Sequence, residues 1–249
     1  IRRIIVADYR ETVDYILGIP LFAQKIGKEN LSSLLCRLGN PEKAIPAVHV
    51  AGTNGKGSTC RALAQMLTGM GYRVGLFTSP HLVSINERIQ IDGENISDAD
   101  FVWAFETVKE KFTQHPSFFE VMFAMAAVYF REKKCDFVVY ETGMGGRLDA
   151  TNVLMPELSI ITSVGMDHME YLGDTIEKIA AEKAGIIKPG IPIIYFKRDE
   201  AVAKVIEDTA RGQKSPVIPV EKQDYIINHL GDKTIDFSLH SRYYSYCNL

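Results

Sequence analysis

Gly52, Gly55 and Gly57 punctuate the stretch VHVAGTNGKGST at 48–59, which also carries Thr53, Asn54, Lys56, Ser58 and Thr59. Glycines at this spacing permit backbone conformations in which successive N–H groups turn inward around an anion. A helix starting here would add its N-terminal partial positive charge. Lys56 supplies a mobile cation for the β- and γ-phosphates of a nucleotide, and Ser58 or Thr59 a hydroxyl for phosphate or Mg2+. The general phosphate-loop pattern G-x-x-x-x-G-K-[ST] nevertheless fails twice, with Val50 at its first glycine and Gly57 at its hydroxyl position. The bland alternative is a glycine-rich turn between strand and helix. A dinucleotide loop is the other competitor, and the lysine favours a triphosphate over it.

Two further segments offer acidic and basic groups. In DFVVYETGMGGRLDATN an apolar run ends at Glu141 and a glycine-rich turn follows, so the carboxylate should emerge at the same sheet edge as the phosphate loop. There it could hold Mg2+ directly or through water, or merely cap or pair. In ITSVGMDHMEYLG an apolar run ends near Ser163, and Asp167 and His168 follow on the loop. A lone histidine is more often structural than a ligand. Lys178 and Lys183, in KIAAEKAGIIKPG, read by themselves as a solvated helix face.

The elements that must position these groups follow from periodicity. Short β-branched runs at 47–52, 72–79, 136–143, 158–165 and 191–196 predict buried strands. Between them, helices are predicted at 58–69, 98–112, 118–133, 175–186 and 199–211, with Ser97 and Asp100 as a capping pair. This alternation is that of a doubly wound, mostly parallel α/β sheet. Asp92-Gly93 predicts a β-hairpin, expected as an excursion from the main sheet. After Arg211 the segments SPVIPV, YIINHL and TIDFSLHSRYYSY predict a small antiparallel region.

Composition bounds the function class. With 249 residues and 46% apolar content the chain can bury a sizeable core. A formal charge of -3, from 28 Lys+Arg against 31 Asp+Glu, provides no basic stripe for nucleic acid. Cys36, Cys60, Cys135 and Cys247 lie far apart with no C-x-x-C pair, which suits reduced thiols and a cytoplasmic location. The longest apolar stretch, at 121–130, is about half of the ~20 residues that span a bilayer, so no membrane partner is expected. The chain starts at Ile1 without a signal-peptide pattern, and a partial chain is the expectation.

Four segments taken in order carry a resemblance: VHVAGTNGKGS, TSPHLVSINERI, ETGMGGRLDATNV and DHMEYLGDTIEKIAAEKAGIIKPG. Together with LLCRLGNPEKAIPAVHV upstream, they resemble the folylpolyglutamate synthase and dihydrofolate synthase family, a branch of the Mur ligase superfamily, over residues 15–192. The resemblance implies an ATP-dependent amide ligase. The γ-phosphate of ATP activates a carboxylate of a pterin substrate as an acyl phosphate, which the amine of L-glutamate attacks. In relatives this loop binds the phosphates, which maps onto Gly52, Thr53, Asn54, Gly55, Lys56, Gly57 and Ser58, so the displaced hydroxyl is normal for the family.

The resemblance also implies two Mg2+ ions, one held by Ser79 and Glu141 and the other by His168. A metal-binding histidine must be neutral, so binding should weaken on acidification. Lys183 takes the place of a lysine that is carbamylated in relatives, which would turn a cation into a carboxylate-like group. Lys56, Glu141, His168 and Lys183 are thus the expected catalytic groups. The folate is expected to contact Ser79, Pro80, His81 and Leu82, with Phe119 offering an aromatic face and Arg88 meeting a substrate carboxylate. Core packing is the competing role for Phe119.

Dihydropteroate, a reduced folate or both remain open as acceptor, and a monomer is expected. Relatives continue through a Leu-Gly-x-His-Gln-x-x-Asn segment and a C-terminal domain that helps bind adenine and glutamate. Residues 1–249 are therefore expected to be the N-terminal ATP-binding domain, with little ligase activity alone. The alternatives are a non-catalytic ATP- or folate-binding module and a Mur-type ligase acting on a cell-wall nucleotide. TSPHL and NERI disfavour the second.

Overall fold

In the computed structural model the described residues are 8–20, 29–114, 116–231, 234–240 and 245–246. Two helices open the chain, α1 (Tyr9–Leu17) and α2 (Glu29–Arg37), followed by strand β1 (Ala47–Ala51) and helix α3 (Lys56–Gly69). Next come β2 (Val74–Phe77), β3 (Ile89–Ile91), β4 (Glu94–Asn95), α4 (Asp98–Lys109), α5 (Phe118–Glu132) and β5 (Phe137–Glu141). The second half holds β6 (Leu158–Ile161), α6 (Met169–Leu172), α7 (Ile176–Ala184), β7 (Ile193–Phe196), α8 (Glu200–Gly212) and β8 (Val217–Val220). Strands β9 (Tyr225–Leu230), β10 (Ile235–His240) and β11 (Ser245–Tyr246) close it.

Eight strands form one sheet in the order β4-β3-β2-β5-β1-β6-β7-β8, parallel except for the β2–β3–β4 edge. The expected α/β class is therefore observed. Strands β1 and β5 lie at the centre, with Val50 opposite Glu141. Because side chains alternate across a strand, Val50, Val74, Leu76, Val139 and Ile160 pack on the α3 side. Phe77, Val138 and Tyr140 face the other way, into the core shared with α4 and α5. Ile161, Ile193 and Tyr195 meet α7 and α8. Helix α5 is apolar all round and buried from Val121 to Phe130, as a helix enclosed on every side must be.

Two expectations need correction. The Asp92-Gly93 turn forms, with both residues at positive φ, but its first strand β3 pairs with β2 and extends the main sheet instead of leaving it. SPVIPV is not part of the antiparallel region: β8 joins β7 in parallel as the eighth strand. Alternating β-branched residues do not distinguish the two pairings. The antiparallel unit is the three-stranded sheet β11-β10-β9, and residues 241–244 of that region lie outside the described ones, as does Cys247. Helices α1 and α2 were not anticipated, although Asp8 caps α1 through the Arg10 N–H. Ser97 caps α4 through the Asp100 N–H, as expected. No helix among the described residues is long and apolar enough to cross a membrane.

Gly75 lies within β2 where the Phe130 ring crosses it, and an added Cβ would come within 2.7 Å of that ring. Gly75→Ala should therefore overpack the core and lower unfolding free energy by about 1–3 kcal/mol, measured by urea titration.

Candidate active site

The phosphate-loop candidate leaves the central strand β1 and enters α3. Gly52 has φ 156°, and an added Cβ would overlap Thr162 Oγ1. Gly55, at φ 81°, is the N-cap of α3, and no side chain caps the helix. The expected start at residue 58 moves back to Lys56. The loop is braced by the segment following β6. Thr53 N–H donates to the Ser163 carbonyl at 2.7 Å, and Asn54 O accepts from Thr162 Oγ1 at 2.7 Å and Ser163 Oγ at 3.0 Å. Thr53 Oγ1 pairs with the Gly165 backbone. Lys56 Nζ folds back on the loop, donating to the Gly52 and Thr53 carbonyls.

Beside the start of α3 lies Glu141, only 3% exposed. It shares the strand face of Val139, the face that α3 covers. A Cβ on Gly57 would come 3.5 Å from Glu141 Oε2, so the glycine that breaks the general loop pattern brings the first helical turn close to the carboxylate. Ser79 N–H donates to the same oxygen at 3.0 Å. Burial raises the Glu141 pKa, opposed by that bond and by the charges of Lys56, Arg61 and Arg88. Among the described residues no cation sits within salt-bridge distance of it.

A buried hard-oxygen donor with no ion pair fits Mg2+, whose preferred ligands are carboxylates, phosphates and water. No group of three or more His, Cys, Asp or Glu able to hold a metal occurs among the described residues. An ion here would complete its shell from Ser79, nucleotide phosphates and water.

His168 is the N-cap of α6 at φ 49°, with a side chain 55% exposed and 3.6 Å from the Asp167 carboxylate. Lys183, by contrast, is 2% exposed. Its pKa is pushed down to about 8 by burial and the charge of Lys56, with Asp167 opposing. A solvated helix face therefore describes Lys178, which pairs with Asp174 at 2.7 Å, and not Lys183. Helix α7 is tied to the loop after Glu141: Arg147 N–H donates to the Glu182 carbonyl at 2.7 Å, and its guanidinium grips the Glu182 carboxylate.

The 79–88 segment makes a second wall. Arg88 Nε donates to His81 Nδ1 at 2.8 Å, and the guanidinium lies 5.1 Å from the Phe118 ring centre. Leu82 is 86% exposed and Pro80 exposed, whereas Arg88 is buried. The Glu87 carboxylate collects the N–H groups of Leu82, Val83 and Ser84, which hold its pKa down to about 2. Phe119 is half-buried against Phe77, and its ring lies 2.8 Å from where a Gly143 Cβ would be, so it packs the turn after Glu141. The structure thus gathers residues 52–59, Ser79 and Glu141 at one sheet edge, with Lys183 and Arg88 in their field. The bracing pair Thr162 and Ser163 went unnoticed in the sequence, where the only signal was two hydroxyl residues at a strand end.

Residues 50–243 match the model of the Mur ligase middle domain. The chain belongs to the Mur ligase family. This Mur-ligase chain is 47% identical over 216 residues to the dihydrofolate synthase/folylpolyglutamate synthase of Bacillus subtilis, covering 84% of the chain and 50% of that relative. It thus spans about half the length of the relative. The apo form of the folylpolyglutamate synthase of L. casei superposes with TM-score 0.92 at 36% identity, covering 98% of this chain and 62% of that one. The E. coli FolC protein in complex with DHPP and ADP superposes with TM-score 0.87 at 30% identity, covering 98% and 57%.

Gly52→Ala should destabilise the chain by roughly 1–3 kcal/mol through strain and overlap. Adding Thr162→Ala should recover part of that loss in a double-mutant cycle followed by urea unfolding.

Proposed function

We propose that this chain is the ATP-binding part of a ligase that joins L-glutamate to a folate or dihydropteroate carboxylate. The observation that carries the reading is the meeting of a glycine loop, an uncapped helix N-terminus and the buried, cation-free carboxylate of Glu141 at one sheet edge. Such an edge suits a metal–triphosphate, because the loop and helix favour anionic phosphate while the carboxylate favours a cation. That the E. coli relative was solved with ADP and DHPP supports the substrate classes.

In this reading the amides of Gly52, Thr53, Asn54, Gly55, Gly57 and Ser58, with Thr59 alongside, cradle the phosphates. Lys56 leaves the loop carbonyls for the β- and γ-phosphates, lowering the repulsion that a second anion meets on approach. A substrate carboxylate oxygen bonds to the γ-phosphorus as the bond to the ADP oxygen breaks. The glutamate amine then forms the amide as phosphate leaves and a proton is lost. Ser79 and Glu141 would hold one Mg2+ and His168 the other. Bound Mg2+ would supply charge neutralisation along the phosphates. Pro80, His81 and Leu82 present the folate-facing edge, Arg88 offers its remaining N–H groups to a substrate carboxylate, and Phe119 backs that wall.

Lys183 would react with CO2 as its neutral amine: nitrogen bonds to carbon, one proton is released, and a carbamate anion remains. With a pKa near 8, about one side chain in ten is neutral at pH 7, against fewer than about one in a thousand for an unperturbed lysine.

Three outcomes are expected. Calorimetry should find ATP binding with Mg2+ in the wild type and not in Lys56→Ala, while the chain mixed with ATP, Mg2+, L-glutamate and dihydropteroate or a reduced folate gives little glutamylated product. Absence of binding in both proteins would refute the nucleotide site, and robust turnover would refute the need for further protein. In 13C NMR with labelled bicarbonate, a carbamate signal should grow as pH rises from 6 through 8 and be absent from Lys183→Arg. A flat profile, or one shared by the variant, would refute the modification.

A further inference from the structure

His49 is wholly buried in β1, three residues before Gly52, and faces away from α3. Its Nε2 lies 2.7 Å from Thr151 Oγ1, and Thr151 Oγ1 donates to Asp149 Oδ1 at 2.6 Å. A hydroxyl has one proton, and here the carboxylate takes it, so Nε2 must carry a hydrogen and donate to Thr151. Nδ1 is then a bare acceptor, and it is buried with no partner. Burial and the charge of Lys188 push the His49 pKa down to about 3, which keeps the ring neutral. An apolar side chain would avoid the unpartnered nitrogen altogether, so stability by itself does not call for histidine at this position.

The far end of this chain of bonds explains what the histidine holds. Asp149 also accepts from the N–H groups of Met144 and Thr151, closing the loop that follows Glu141 onto itself. That loop packs without clearance on the elements bearing His168 and Lys183. A Cβ on Gly146 would stand 2.8 Å from the Glu182 carbonyl, and one on Gly145 would stand 2.8 Å from Leu172. Strands β1 and β5 are neighbours, with Val50 opposite Glu141. The His49–Thr151 bond is a second tie between the strand that carries the phosphate loop and the loop that carries on from the carboxylate.

We infer that His49 and Thr151 are positioning residues, a strut under the sheet that fixes the Glu141 loop relative to the phosphate loop and so sets Mg2+-linked nucleotide binding. The inference rests on the proposed nucleotide site. Neither residue touches nucleotide or metal, because both lie on the face opposite α3.

His49→Leu separates positioning from packing, since it removes the donor and the unpartnered acceptor together. ATP binding to the full chain would be measured by calorimetry in Mg2+ and in EDTA, with thermal melting alongside, for wild type, His49→Leu, Thr151→Val and Thr151→Ser. The expected result is a fall of tenfold or more in affinity with Mg2+ for His49→Leu and Thr151→Val, a change of less than threefold in EDTA, and near-wild-type binding for Thr151→Ser, which keeps the hydroxyl. If His49→Leu folds and binds as the wild type does in Mg2+, or loses affinity equally in both conditions, the strut is refuted. Should Thr151→Val fail to fold, His49→Leu alone decides. A wild type that binds no ATP in either condition refutes the nucleotide site itself, a failure distinct from that of the strut.

Discussion

A carboxylate buried without a cation is among the less favourable arrangements a protein adopts, because an ion removed from water loses several kcal/mol of solvation. Glu141 is in that position at the end of a central strand. One backbone N–H, from Ser79, and the more distant charges of Lys56, Arg61 and Arg88 offset part of the loss. The start of α3 contributes its own partial positive charge, brought near by the bare Cα of Gly57. The same region holds an opposite imbalance, since the N-terminus of α3 has no side-chain cap and Lys56 rests on loop carbonyls. A cation bridged to a polyanion satisfies both imbalances together, whereas either ion alone satisfies one.

The rest of the fold keeps those two imbalances apart and fixed. Glu141 cannot retreat, because β5 is paired on both sides and backed by α5, whose residues 121–130 are all buried. The glycine loop cannot collapse onto the carboxylate, because Thr162 and Ser163, just after β6, hold Asn54 and leave no room at Gly52 for a side chain. Lys183 is desolvated for a related reason: α7 is clamped to the loop after Glu141 by Arg147 and Glu182, which brings its last turn under cover. Rigid strand ends and braced loops are what a site needs when its chemistry is mainly positioning and charge.

Much of this was legible in the sequence, and the limits have physical causes. Buried parallel strands announce themselves as apolar runs, so β1, β2, β5, β6 and β7 emerged with their helices, and the loop and Glu141 fell at strand ends where ligands collect. Pairing partners do not announce themselves, so the hairpin of β3 and β4 is legible but its attachment to β2 is not, and β8 reads as part of the antiparallel region instead of the partner of β7. Lys183 looked like a solvated lysine because burial is a property of what packs on α7, not of the AEKAG stretch. The His49–Thr151–Asp149 chain joins residues about a hundred positions apart, and no local pattern carries such a bond. For the same reason the hydroxyls that brace Asn54 were invisible.

In the proposed function the glycine loop and Glu141 form the two halves of one metal–nucleotide site. A crystal grown with Mn2+ in place of Mg2+ and a non-hydrolysable ATP analogue tests it directly, since manganese is located by its anomalous scattering. The expected result is phosphates within the 52–58 loop and a manganese peak at direct-ligation distance from the Glu141 carboxylate. Phosphates bound elsewhere, or manganese on the phosphates with Glu141 left unligated, would contradict it.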